Sequence, residues 1–155
     1  MYYKSHLKAI IAVIVLAALD QLTKYFFAGK TYMASCIGIQ YAENTGAAFG
    51  ILQGWNLPLI LISIAVLAFL AYFYFKERHK LDKTYRAKAK GSFERSEKTA
   101  FILIFAGTLG NLIDRVMLGY VRDFIAIGSW PNFNVADSLN VVGVLILVYV
   151  LVKRK

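Results

Sequence analysis

Four apolar stretches divide the chain, at 7–27, 57–75, 100–118 and 135–152. Each is close to the ~20 residues that an α-helix needs to cross the hydrocarbon of a bilayer. The second contains no Asp, Glu, Lys, Arg or His, which makes it the plainest span; the other three carry polar residues that need explaining. Between the first two spans, Ile37, Ile39 and Tyr41 alternate in the manner of a short strand, and a stretch rich in glycine and alanine, 46–50, follows. Between the last two, 120–127 reads as a second extended piece, ended by Gly128 and Pro131. The pattern predicts an all-α membrane protein of four transmembrane helices with a small extracytoplasmic β platform. No internal repeat or low-complexity tract breaks it, so 1–155 is expected to be one domain.

Composition agrees. The 155 residues are 59% hydrophobic, against roughly 45–50% in soluble domains. The net charge of +9 would suggest nucleic acid if it formed a patch on a soluble face, but most of the basic residues lie between the apolar runs. Lys4 and Lys8 precede the first span, nine Lys and Arg fall within 76–98, and Lys153, Arg154 and Lys155 close the chain. The positive-inside rule assigns these three segments to the cytoplasm, so both termini are expected there. Segments 28–56 and 119–134, which hold only Lys30 and Arg122, fall outside. The basic linker 76–98 is expected to be largely solvated, with contact to anionic lipid as a generic option. His79 in that linker and His6 in the N-terminal arm have no partner in the sequence that would make either a ligand or a base.

Cys36 is the single cysteine and permits neither an internal disulfide nor a CxxC pair. The expectation is a small, half-buried residue. The run 33–36 faintly resembles a lipoprotein precursor's cleavage site, but Asp20, Lys24 and Lys30 interrupt the approach and three more spans follow. A removable signal peptide is therefore not expected.

With direction assigned, depth follows from the helical rise of ~1.5 Å per residue. Asp20 and Lys24, four apart and on one face, lie toward the outer end of span 1. Asn111, Asp114 and Arg115 lie at the outer end of span 3. Asp123 comes a few residues later, and Asn134, Asp137 and Ser138 begin span 4. Outside the linker the acids are Asp20, Glu43, Asp114, Asp123 and Asp137, all near one level. Each charge at membrane depth costs at least ~2.5–3.5 kcal/mol, so a polar pocket between helices explains the clustering economically. Simpler readings stand beside it: a helix-surface ion pair for Asp20 and Lys24, a helix cap for Asp137 and Ser138, and a network gluing helices for Asn111, Asp114 and Arg115. Trp55 and Trp130 are expected to anchor the interface.

No serine with a base, no reactive cysteine beside a histidine and no histidine cluster is evident, so carboxylates remain. Asp123 and Asp137 are joined by a return through Gly128 and Pro131. Two carboxylates brought together share a proton, and one can then act as base while the other acts as acid. That is the chemistry of an aspartic dyad hydrolysing a peptide without metal or cofactor. The competing class is a small transporter whose polar residues relay ions. No repeat and no polar residue at the midplane of span 2 supports it.

Five blocks resemble, in order, those of bacterial lipoprotein signal peptidase (signal peptidase II): 20–24 (DQLTK), 44–49 (NTGAAF), 107–115 (GTLGNLIDR), 121–124 (VRDF) and 133–138 (FNVADS). The resemblance implies a four-helix aspartic endopeptidase of the bacterial cytoplasmic (inner) membrane. Such an enzyme cuts the signal peptide from diacylglyceryl-modified prolipoproteins just before the lipidated cysteine. It implies Asp123 and Asp137 as the catalytic pair. Asp20, Lys24, Asn44, Gly107, Asn111, Arg115 and Asn134 would shape the site or hold substrate. The expected partners are the prolipoprotein and membrane lipid, with no metal, cofactor or nucleic acid, and the expected unit is a monomer. One departure is the linker 76–98, longer and more charged than the family's short connection.

Overall fold

A computed structural model describes residues 2–47, 51–80 and 91–153. Helix α1 spans Tyr2–Phe27, α2 Asn56–Lys80, α3 Gly91–Leu118 and α4 Val135–Lys153; strands β1 Thr31–Ala34, β2 Ile37–Asn44, β3 Val121–Ile127 and β4 Trp130–Phe133 complete the fold. The strands form one antiparallel sheet in the order β1-β2-β3-β4. Helix α1 leads into β1, β2 leads on to α2, α3 into β3 and β4 into α4. The sheet therefore joins all four helices at one end of the bundle.

Burial is inverted relative to a soluble protein. Large apolar side chains face outward, Ile10, Ile14, Leu61, Val141 and Leu145 each being more than half exposed, whereas Asp20, Lys24, Asp114 and Asn134 are fully buried. Four segments, His6–Phe27, Asn56–Tyr74, Arg95–Leu118 and Val135–Lys153, are long and apolar enough to cross a membrane. An apolar exterior around a polar interior is the arrangement expected where the surrounding solvent is lipid.

Helix α3 is central, packing against α1, α2 and most extensively α4. The α3–α4 seam is close because its residues are small: a Cβ on Gly143 would stand 2.6 Å from Ile104 Cγ1 and 3.0 Å from the Ala100 carbonyl, and one on Gly107 would collide with the Ala136 carbonyl. Small residues let helix backbones approach where burial of apolar area supplies no drive.

The helices are longer than the apolar stretches alone indicate. Helix α2 continues to Lys80 and α3 begins at Gly91, so both ends of the basic stretch 76–98 are helical; its centre, 81–90, lies outside the described residues. Lys, Arg and Glu are good helix formers, and the hydrogen-bonded ladder continues past the last apolar residue. Strands β2 and β3 occupy the two segments read as extended. The edge strands β1 and β4 carried no such signal: the burial of Thr31–Ala34 does not alternate, and Pro131, read as a terminator, sits inside β4. An edge strand tolerates proline because one row of its amides needs no partner. Cys36 is exposed in the β1–β2 turn rather than half-buried. His6 is not isolated, since its ring stands edge-on to Tyr74 of α2 at 5.7 Å.

Candidate active site

Asn134 immediately precedes α4 and is its cap. Its Oδ1 accepts from the Asp137 amide at 2.9 Å, and Asp137 Oδ2 accepts from the Asn134 amide at 3.2 Å. This reciprocal pair satisfies amides that the first helical turn leaves without partners. The amide of Ala136 donates instead to Asp20 Oδ1 of α1, at 2.8 Å. The capping reading of Asp137 is therefore correct as far as it goes, and it fixes the carboxyl's position without consuming it. Asp137 Oδ1 accepts a further hydrogen bond from Asn111 Nδ2 at 2.8 Å.

Asp123 arrives from the sheet. It pairs with Ala42 across β2 and β3, beside a register shift between Ile39 and Ala42. Its carboxylate accepts from Asn134 Nδ2 at 2.7 Å and from Asn44 Nδ2 at 3.0 Å. Asn134 thus touches both aspartates, by its side-chain amide on Asp123 and its backbone amide on Asp137. The two line one cavity of about 620 Å³ at the sheet end of the bundle, with Asn44, Asn111, Arg115 and Ser138. Burial pushes the Asp123 carboxyl up to about 7, and the Asp137 carboxylate pushes the same way, against the hydrogen bonds from Asn44 and Asn134.

Behind this pair lies a buried set of charges. Lys24 Nζ stands 2.8 Å from Asp20 and 3.5 Å from Asp114, and donates to Asn111 Oδ1 at 2.8 Å. Arg122 holds Asp114 from the other side, with NH2 at 2.7 Å, Nε at 3.2 Å and its backbone amide at 2.9 Å. Two cations and two anions make the set formally neutral. Asp20 and Lys24 are fully buried, so the surface ion pair with a snorkelling lysine is corrected: Lys24 turns inward because two carboxylates wait there. Arg115, on the same turn of α3, lines the cavity and donates to the Gly46 carbonyl at 3.0 Å, while its own carbonyl accepts from Asn56 at 3.1 Å. The Asn44 side chain accepts from the Gly46 amide at 2.9 Å, which orients it toward Asp123. Gly107 sits one turn of α3 before Asn111, where the Ala136 carbonyl leaves no room for a side chain.

The profile of the Signal peptidase (SPase) II family matches residues 11–153. The chain belongs to the signal peptidase II family. It is 37% identical over 145 residues to the lipoprotein signal peptidase of Halothermothrix orenii, covering 89% of this chain and 90% of that one. It is 41% identical over 141 residues to that of Dehalococcoides mccartyi, covering 84% and 81%. A solved bacterial membrane enzyme superposes with a TM-score of 0.78 at 34% identity over 94% of this chain and 88% of that one. A second gives 0.76 at 33% identity over 96% and 94%. The protein is thus a multi-pass membrane peptidase of this family.

All nine residues singled out in the sequence of this signal peptidase lie in or against the site. Three further ones were not counted among them. Asp114 and Arg122 form the ion pair just described, and Gln21 accepts from Arg122 NH2 at 2.9 Å while donating to the Gly110 carbonyl at 3.0 Å. Each stands beside a selected residue in one of the family blocks. For Asp114 and Arg122 a charge adjacent to a candidate was the available signal; Gln21, a neutral amide, carried none beyond its place in the first block.

The geometry makes Lys24 a sensitive point. Lys24→Met leaves Asp20 and Asp114 short of a cation in the bundle interior, and losing one partner of a buried charge set costs on the order of 3–5 kcal/mol. The expected outcome is a markedly lower thermal midpoint in detergent together with loss of peptidase activity. Lys24→Met with wild-type stability would refute the pairing.

Proposed function

We propose that this peptidase is an aspartic endopeptidase of the bacterial cytoplasmic membrane, cutting the signal peptide from diacylglyceryl-modified prolipoproteins before the lipidated cysteine, with Asp123 and Asp137 as its catalytic pair. The observation that carries the reading is that the two carboxyls line one cavity and are tied to a single residue, Asn134. Each keeps its orientation through hydrogen bonds that leave carboxylate lone pairs facing the cavity. With one proton between them, one carboxylate takes a proton from water as it attacks the scissile carbonyl, and the other gives a proton to the carbonyl oxygen. Arg115 adds positive charge at the cavity wall, favouring retention of only one proton. The substrate's acyl chains stay in the bilayer beside the bundle and its signal helix lies along the apolar exterior, so the scissile bond meets the dyad where the helices give way to the sheet.

In this reading the sheet faces the extracytoplasmic side, both termini face the cytoplasm, and the unit is a monomer. The strongly basic ends of the helices opposite the sheet support that direction.

Purified Asp123→Asn and Asp137→Asn proteins are expected to keep the wild-type thermal midpoint within a few degrees and to cleave diacylated precursor at least roughly a thousandfold more slowly, since each removes a proton carrier from a two-member machine. Turnover near the wild-type rate by either would exclude the dyad. The pH profile follows from Asp123: below about 7 its carboxyl is protonated and supplies the proton that the pair needs, and above about 7 that proton is lost. The expected kcat/KM therefore falls as pH rises through about 7, and in the Asp137→Asn background the limb in whatever activity remains moves to lower pH, because burial still raises Asp123 while the Asp137 charge no longer does. Direction in the membrane is tested at Cys36, exposed in the β1–β2 turn: a membrane-impermeant maleimide should label it in spheroplasts without permeabilisation. Labelling only after lysis would reverse the topology.

A further inference from the structure

Past Ser138, helix α4 runs through 139–148 (LNVVGVLILV), where Asn140 is the one polar side chain. A polar group within a span is kept where it has a partner on another helix or a task at a site. One end of the Asn140 amide has the first. Its Oδ1 lies in the α3–α4 seam, 2.6 Å from where a Cβ on Gly107 would stand, and accepts from the Thr108 hydroxyl at 3.4 Å. An oxygen suits that place, since the glycine presents Cα–H to it and an amide N–H there would meet another donor.

That orientation turns Nδ2 the other way, and Asn140 lines the cavity of about 620 Å³ that holds the two aspartates. Among the described residues Nδ2 donates to nothing. The other side-chain amides on the wall are spent: Asn44 on Asp123, Asn111 on Asp137 and Asn132 on the Gln40 carbonyl. Asn140 stands three residues beyond Asp137 in α4, so the two share the cavity face on neighbouring turns, ~4.5 Å apart along the axis. Asn140 is the one farther from the sheet.

A donor so placed faces the substrate chain. The inference rests on the endopeptidase reading, in which the residues preceding the scissile bond lead back into the bilayer and so run past Asn140. In an extended peptide successive carbonyls point to opposite sides at ~3.3 Å per residue, so the carbonyl on the scissile one's side stands two residues earlier, ~6.6 Å away. The ~2 Å beyond the helical offset is less than one hydrogen bond of ~2.9 Å. We propose that Asn140 binds the substrate backbone, its Nδ2 donating to the carbonyl of the third residue before the scissile bond.

Steady-state cleavage of a synthetic diacylated precursor peptide by the full-length protein in detergent tests this. In a companion substrate the amide bond after that third residue is replaced by an ester, which weakens its carbonyl as an acceptor; in two others the ester follows the second or the fourth residue before the cut. Asn140→Leu is expected to raise KM roughly fivefold, the worth of one neutral hydrogen bond. Its kcat should stay within about twofold, because the contact is made equally in ground and transition states. The ester after the third residue should raise the wild-type KM roughly threefold and leave that of Asn140→Leu unchanged, whereas a residue that only packs helices would let the two penalties multiply. Multiplying penalties, an ester effect largest at a neighbouring bond, or a fall in kcat with KM unchanged would each overturn the proposal. If Asn140→Leu does not fold, Asn140→Ala supplies the comparison, and the wild-type ester series decides alone if neither folds. Cleavage of the unmodified precursor by the wild type and its loss in Asp123→Asn check the endopeptidase reading in the same assay, so the two ideas fail separately; a wild type that leaves the precursor whole overturns both.

Discussion

A lysine buried between two aspartates holds this molecule together. In a bundle whose exterior faces hydrocarbon, an ionised group inside is tolerable only if opposite charge and hydrogen-bond donors surround it closely. Lys24, Asp20, Asp114 and Arg122 meet that condition as a neutral set drawn from α1, α3 and β3. The set constrains relative placement more tightly than the apolar contacts around it, because a displaced helix would leave a charge without its partner, whereas sliding one aliphatic surface past another costs little in lipid.

The position of the two candidate catalytic carboxyls follows from that constraint. Asp20 spends one oxygen on Lys24 and the other on the Ala136 amide, tying the start of α4 to α1. Lys24 and the Asn134 side chain both donate to Asn111 Oδ1, and the amide of Asn111 then holds Asp137. Arg122, anchored on Asp114, stands next to Asp123 in the same strand. The neutral set fixes three elements, and these deliver two acids to one cavity with their own hydrogen bonds already committed. Preorganisation of this kind means that little rearrangement remains for the moment of reaction.

The sheet and the helices divide the labour. Small residues along α3 and α4 bring those helices close enough for Asn111 to reach Asp137, while strand pairing sets Asp123 opposite β2 and within reach of Asn44. The cavity lies where the two kinds of structure meet. A second, apolar cavity lies at the other end, between α1, α2 and α3.

Much of this was legible in the chain. Four apolar runs, the alternation at Ile37, Ile39 and Tyr41, and acids gathered near one level determined the helices, two of the four strands and the existence of a polar site, because hydropathy and periodicity record the surroundings of each residue along its own element. Of the five acids, Glu43 stands exposed on β2 outside that site. Those signals carry nothing about partners across elements. That Lys24 turns inward, that Arg122 holds Asp114, and that Asn134 bridges the two candidate catalytic acids were decided only in three dimensions, through contacts such as that of Asp20 with Ala136, 116 residues apart. The edge strands β1 and β4 belong to the same class, since an exposed strand takes its conformation from the neighbour it pairs with and needs no pattern of its own.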